Sequence, residues 1–227
     1  GIAIKNMRFK SSNSNLYPPL THLLSAGNFV RPRDVAESIL SLLKQDDQIK
    51  DLLIKNNSNM SLDEVTSTIE SLHKFPLLHH LMRLCPLPDL QFEKLFVAMR
   101  SLILKNLDKI EASHELIYFL STLSLHCFTN EYVYIESDEE TYLIDELQTN
   151  ISQIMVQSKQ PETIKVLCLA SYRPLHHYDW CQNLVSLDNL EEVKKRLIEE
   201  PLLEKVISQD IPMLEQISDN VSLKVRE

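Results

Sequence analysis

Two glycines, Gly1 and Gly27, serve the whole chain of 227 residues. Average usage of roughly 7% would place about sixteen in a chain this long. Loops that cradle a phosphate or a dinucleotide use glycine so that backbone N–H groups can approach the ligand with no side chain between. Neither G-x-G-x-x-G nor G-x-x-x-x-G-K-[ST] can be written from two glycines so placed. Nucleotide-binding, kinase-like and S-adenosylmethionine-binding Rossmann domains are therefore excluded within these residues.

Charge narrows the partners further. The formal net charge is −9, and lysine and arginine are dispersed. No basic stripe is available to nucleic acid, and an anionic membrane surface repels the chain on average. The four cysteines, Cys85, Cys127, Cys168 and Cys181, lie far apart with no C-x-x-C pair, and three sit inside apolar helical patterns as small hydrophobes. With no signal peptide, and no apolar run reaching the ~20 residues of a membrane span, a reducing cytoplasm is the expected compartment. The chain begins on Gly1 rather than Met and is read as a piece of a longer polypeptide.

Residues 1–16 are polar and rich in Ser and Asn, the composition of a flexible arm. From Tyr17 to position 212 helical periodicity recurs almost without interruption, which predicts one all-helical domain. "PPLTHLLSAGN" reads as a short helix ending at Gly27, and "RPRDVAESILSLLKQ" places Val35, Ile39, Leu42 and Leu43 on one face. Ser61 with Glu64 has the spacing of a capping box. Asp89, Ser113 and Ser137 are good N-caps, and the acids after Ser137 suit a helix N-terminus. The stretch from Ser113 to Cys127 is apolar on nearly every side, as a central helix should be. "DNLEEVKKRLIEE" and "PLLEKVISQ" are the last helical stretches. Only "YVYI" (132–135) looks strand-like. About ten helices with short connections predict an all-α fold, either an irregular α-solenoid of tetratricopeptide-like type or an orthogonal bundle.

Chemistry-bearing residues crowd "HCFTNEYVY" (126–134). On a helix, His126 and Cys127 point about 100° apart and cannot share a proton. A cysteine nucleophile needs an imidazole within hydrogen-bond reach, and nothing local supplies one. The structural reading has Cys127 in the core, with Asn130 and Glu131 satisfying a helix end. His79–His80 and His176–His177 diverge if helical. His177 with Cys181 has the i,i+4 spacing of half a zinc site, but no second half is visible at fitting spacing. "YRPLHHYDWC" reads as an ordered loop plugged onto the core by Trp180. The carboxylates at 136–140 read as a capped helix start, and those at 191–200 as a solvated, salt-bridged face.

Several stretches in order resemble one family: "NFVRPRDVAESILSLL" (28–43), "PLLHHLMRLCPLPDLQFEKLFVAMRSLIL" (76–104), "FLSTLSLHCFTNEYVYIESDEE" (119–140), "EPLLEKVISQDIP" (200–212) and "ISDNVSLKVRE" (217–227). Together they are similar to the helical segment of bacterial proteins in which tetratricopeptide repeats precede a class I S-adenosylmethionine-dependent methyltransferase domain. The resemblance implies that 213–227 link to a downstream catalytic domain, which would hold the S-adenosylmethionine. It implies no catalytic, cofactor or metal residue in this chain.

The reading that follows is a non-enzymatic helical module contacting a protein partner or the adjoining methyltransferase domain. Its candidate surface is Asn130, Glu131, Tyr132 and Tyr134, with His177 and Trp180. Docking of such a domain predicts an exposed apolar patch near the C-terminal helices. The alternative is an independent small-molecule-binding or hydrolytic bundle using His126, Cys127, Glu131, His176 and His177, which requires a pocket holding at least three of them. A third reading is a scaffold that dimerises through apolar helices; the sequence leaves the oligomeric state open.

Overall fold

A computed structural model describes residues 4–5, 7–27, 30–55 and 60–209. The expected linker at 213–227 lies outside the described residues. The fold is all-α, with no strand among the described residues. The helices are α1 (Tyr17–Ser25), α2 (Pro32–Leu43), α3 (Asp47–Lys55), α4 (Leu62–Leu72), α5 (Pro76–Leu84), α6 (Leu90–Lys105), α7 (His114–Thr129), α8 (Asp138–Val156), α9 (Thr163–Ala170), α10 (Glu191–Lys194) and α11 (Glu200–Gln209).

Their starts follow from the sequence. Ser61 and Ser137 each close a capping box, with Glu64 and Glu140 respectively. Asp89 accepts from the N–H groups of Gln91 and Phe92, and Ser113 from that of Leu116. Each cap satisfies donors that have no partner within the helix.

The helices stack in two layers. α5, α7 and α9 pack in succession in one layer, and α4, α6 and α8 in the other. Neighbours are thus next-but-one in sequence, which is how a solenoid stacks. α7 lies at the centre, against α4, α5, α9 and α10, and is buried from Phe119 to Cys127 without interruption. Described residues of the segment expected as an arm, Ile4 and Phe9, contact α2. Ile4 and Phe9 pack on the core, the Ser38 hydroxyl donates to the Ile4 carbonyl at 2.6 Å, and Ser41 Oγ accepts the Phe9 N–H at 3.2 Å.

With so little glycine, helix ends need other devices. Gly27 takes φ +64° just after α1, but α7 and α8 place non-glycine residues in the left-handed region. After α7, the Tyr132 N–H reaches back to the Cys127 carbonyl and the Glu131 N–H to that of Phe128. After α8, Lys159 bonds Ile154 and Ser158 bonds Met155 in the same way. Both are the paired six-to-one and five-to-two bonds of a Schellman cap. Glu131 (φ 52°) and Ser158 (φ 57°) occupy the glycine position, and Tyr132 follows at φ 55°. Glu131→Gly and Ser158→Gly should therefore each raise stability by ~0.5–1 kcal/mol, because relief of left-handed strain exceeds the added chain entropy; urea unfolding followed by circular dichroism checks this. The positive φ at Tyr132 also corrects the strand-like reading of "YVYI", since two left-handed residues in a row break any extended run.

Prolines follow the ends of α4 and α5 and leave carbonyls without their usual donor. Leu72 faces Pro76 four residues on, and Met82 faces Pro86. Buried histidines stand in for the missing N–H groups: His79 Nε2 lies 3.0 Å from the Leu72 oxygen, which also accepts the Phe75 N–H at 2.9 Å, and His126 Nδ1 lies 3.0 Å from that of Met82. Pro201 does not separate the last two helical stretches. The chain passes from α10 through a π-helical segment, Lys195–Glu199, directly into α11. The wider turn accommodates a proline ring that would clash with the Leu197 carbonyl, and the His176 side chain interacts with that carbonyl.

Candidate functional site

The expected surface lies where the end of α7, the loop 130–137 and the start of α8 meet α6 and α9. Arg100, 2% exposed, projects from α6 beneath this loop. Its guanidinium donates to the carbonyls of Ser171 (3.1 Å) and Ile135 (3.0 Å), and reaches that of Tyr134 at 3.5 Å. It also sits 3.9 Å above the Tyr172 ring, a cation–π contact strengthened by exclusion of water.

The Tyr172 hydroxyl donates to Glu140 Oε1 at 2.7 Å, while Glu140 Oε2 accepts from the Ser137 N–H and hydroxyl. Burial by itself raises the Glu140 carboxyl, but the bonds from Tyr172 and Ser137 outweigh it and hold the group below the usual carboxylate range. One turn away, Arg173 grips Glu136 with two bonds of 2.8 Å, and that pairing depresses the Glu136 pKa. The loop is fixed at both ends and underneath.

His126 completes the floor. Its Nδ1 faces the Met82 carbonyl, which can only accept, so Nδ1 carries the hydrogen. Nε2 then accepts from the Tyr134 hydroxyl at 2.7 Å. Burial pulls the imidazole pKa down to about 4, against a smaller upward pull from the Met82 bond. Burial pushes the neighbouring Cys127 thiol up to about 11. At neutral pH this histidine and this cysteine are both uncharged, sealed and committed to structure.

The six candidate surface residues divide accordingly. Asn130 caps α7 and is half-buried. Glu131 is exposed at the turn. Tyr132 is half-buried, with its ring edge-on to Phe128. Phe128 in turn meets His176, whose ring contacts that of exposed His177, so Tyr132 and His177 join one line of ring contacts. Trp180 stands apart, stacked on Tyr178 at 4.7 Å and donating to Ser152 Oγ on α8 at 2.9 Å. Tyr134 is a correction: it faces inward to His126 and cannot contribute a surface ring. Its neighbours Val133 and Ile135, 68% and 80% exposed, take the outward positions.

The residues required by the enzyme alternative do not converge. His126 and Cys127 are buried, Glu131 is exposed, and none of His126, Cys127, Glu131, His176 or His177 lines any of the four cavities described among these helices. Among the described residues no group of three or more His, Cys, Asp or Glu side chains could hold a metal, and no helix is long and apolar enough to cross a membrane. No family model matches the chain, and no curated protein or solved structure matches it.

Two signals in the sequence could have exposed the buried network. Arg100 falls in phase with the apolar stripe Phe92, Phe96 and Ile103, and Glu140 in phase with Ile144, Leu147 and Ile151. A charge at a core position of a helix implies a buried partner.

Proposed function

We propose that the chain is a non-catalytic helical module that makes protein–protein or interdomain contacts, linking tetratricopeptide repeats to a methyltransferase domain beyond its C-terminal end. One observation carries the reading. Leu203, Val206 and Ile207 share one face of α11 at i, i+3 and i+4, and each is more than half exposed. Leu202, on another face, packs against the core. An apolar stripe left open on the last described helix is the feature that docking of a following domain requires.

Sequencing the parent gene past the codon for Glu227, then following hydrogen exchange along α11, tests this. Support is a reading frame that enters a glycine-rich strand–loop–helix, with α11 amides protected at least tenfold more in the longer protein and that gain lost in Leu203→Asp/Ile207→Asp. A stop codon, or equal protection of α11 in both proteins, contradicts it.

A further inference from the structure

A groove of about 580 Å³ runs between the end of α6 and the middle of α8, closed at one end by Lys165 of α9. Its floor is apolar, formed by Leu104, Leu107, Leu143 and Leu147. Its rim carries three carboxylates, Asp108, Asp145 and Glu146, and a single cation, Lys165. That lysine is already occupied, 3.0 Å from Asp108 and 3.3 Å from Glu162. Among the described residues no lysine or arginine lies within ion-pair distance of Asp145 or Glu146, both exposed, although the Arg173 guanidinium, held by Glu136, still acts on Asp145 electrostatically. Glu146 accepts the Tyr142 hydroxyl at 2.8 Å, and the Tyr142 ring stands 62% exposed on the same wall.

We propose that this groove docks a basic amphipathic helix from a partner protein, with apolar side chains seated on the four leucines and lysines or arginines along the acidic rim. The apolar floor supplies an area to bury, and helix-in-groove recognition uses anchors at i, i+3, i+4 and i+7. The charge chooses the sign of the partner. An acidic helix would meet three rim carboxylates against one lysine that is already paired, and a chain of net charge −9 around them. This surface is separate from the α11 stripe, so the two proposals stand or fall apart.

The test titrates the intact chain, at an ionic strength of about 0.15 M so that distant charges are screened, with a short amphipathic helix of leucine and lysine and with its twin bearing glutamate for lysine. The lysine peptide should bind and shift the amide resonances of α6 and α8, and the glutamate twin should not bind. Asp145→Lys/Glu146→Lys should weaken binding about tenfold or more, whereas Asp51→Lys/Glu70→Lys, with the same change in net charge, should alter it less than about twofold. Leu143→Asn should weaken binding without abolishing the fold, checked by circular dichroism. Equal weakening by both charge pairs, equal binding of both peptides, shifts confined to α11, or no binding would overturn the proposal.

Discussion

Arg100→Met is expected to destabilise the protein by ~4–6 kcal/mol, because it removes the donor to one buried and one part-buried carbonyl at about 1–3 kcal/mol each and leaves the Glu140 carboxylate without its nearby buried cation. Domains of this size have total stabilities of ~5–15 kcal/mol, so the variant should sit near its unfolding threshold and melt about 10–20 °C lower. Arg100→Lys keeps the charge but has no planar fork to span Ser171 and Ile135. Its loss should be about half as large. Urea unfolding of the three proteins at neutral pH checks the series. A loss below about 1 kcal/mol in Arg100→Met would mean that the loop 130–137 does not depend on the guanidinium.

Acid should unfold the protein earlier than its carboxylates alone would require. Burial holds His79 and His126 at about 4 in the folded state, against the ordinary histidine value of about 6.5. Between those values the unfolded chain takes up protons that the folded chain refuses. Stability from these rings is therefore complete above about pH 6.5 and is lost as pH falls toward 4, by about 3 kcal/mol per ring. The depressed carboxyls of Glu136 and Glu140 add their loss below the ordinary carboxylate range. The urea midpoint should accordingly fall steeply from pH 7.5 to pH 4.5. His79→Gln and His126→Asn retain a donor at the bonded nitrogen position without the titration, and each should flatten the slope. A level profile down to pH 5 would contradict the assignment.

Much of the architecture was legible in the sequence because helix formation is local. Ser61, Asp89, Ser113 and Ser137 mark starts through short-range bonds, and the apolar periodicity of α6 and α7 marks buried faces. The helix ends were harder to read. Glu131, Tyr132 and Ser158 carry no glycine signature, and their left-handed backbone follows from bonds back to α7 and α8. "YVYI" looked extended because its side chains suit a strand, yet the Arg100 contact at Ile135 and the cap at Tyr132 fix it as a loop. The partners of His79 and His126 are carbonyls that prolines elsewhere in the chain have freed. The prolines are visible in the sequence, but which ring covers which oxygen depends on packing. Tyr134 reads as a surface residue for the same reason: its hydroxyl bond to His126 spans a turn whose direction local residues do not declare.

The residues that resemble an active site are helix-end devices. Nitrogen-15 spectra of the histidine rings across a pH titration test this most directly. His126 should appear as the Nδ1–H tautomer and His79 as the Nε2–H tautomer, both neutral and unchanged from about pH 8 to about pH 5. A His126 ring that gains its proton near pH 6.5, in a protein that remains folded, would mean an accessible imidazole beside Cys127 and would contradict the structural role assigned to both.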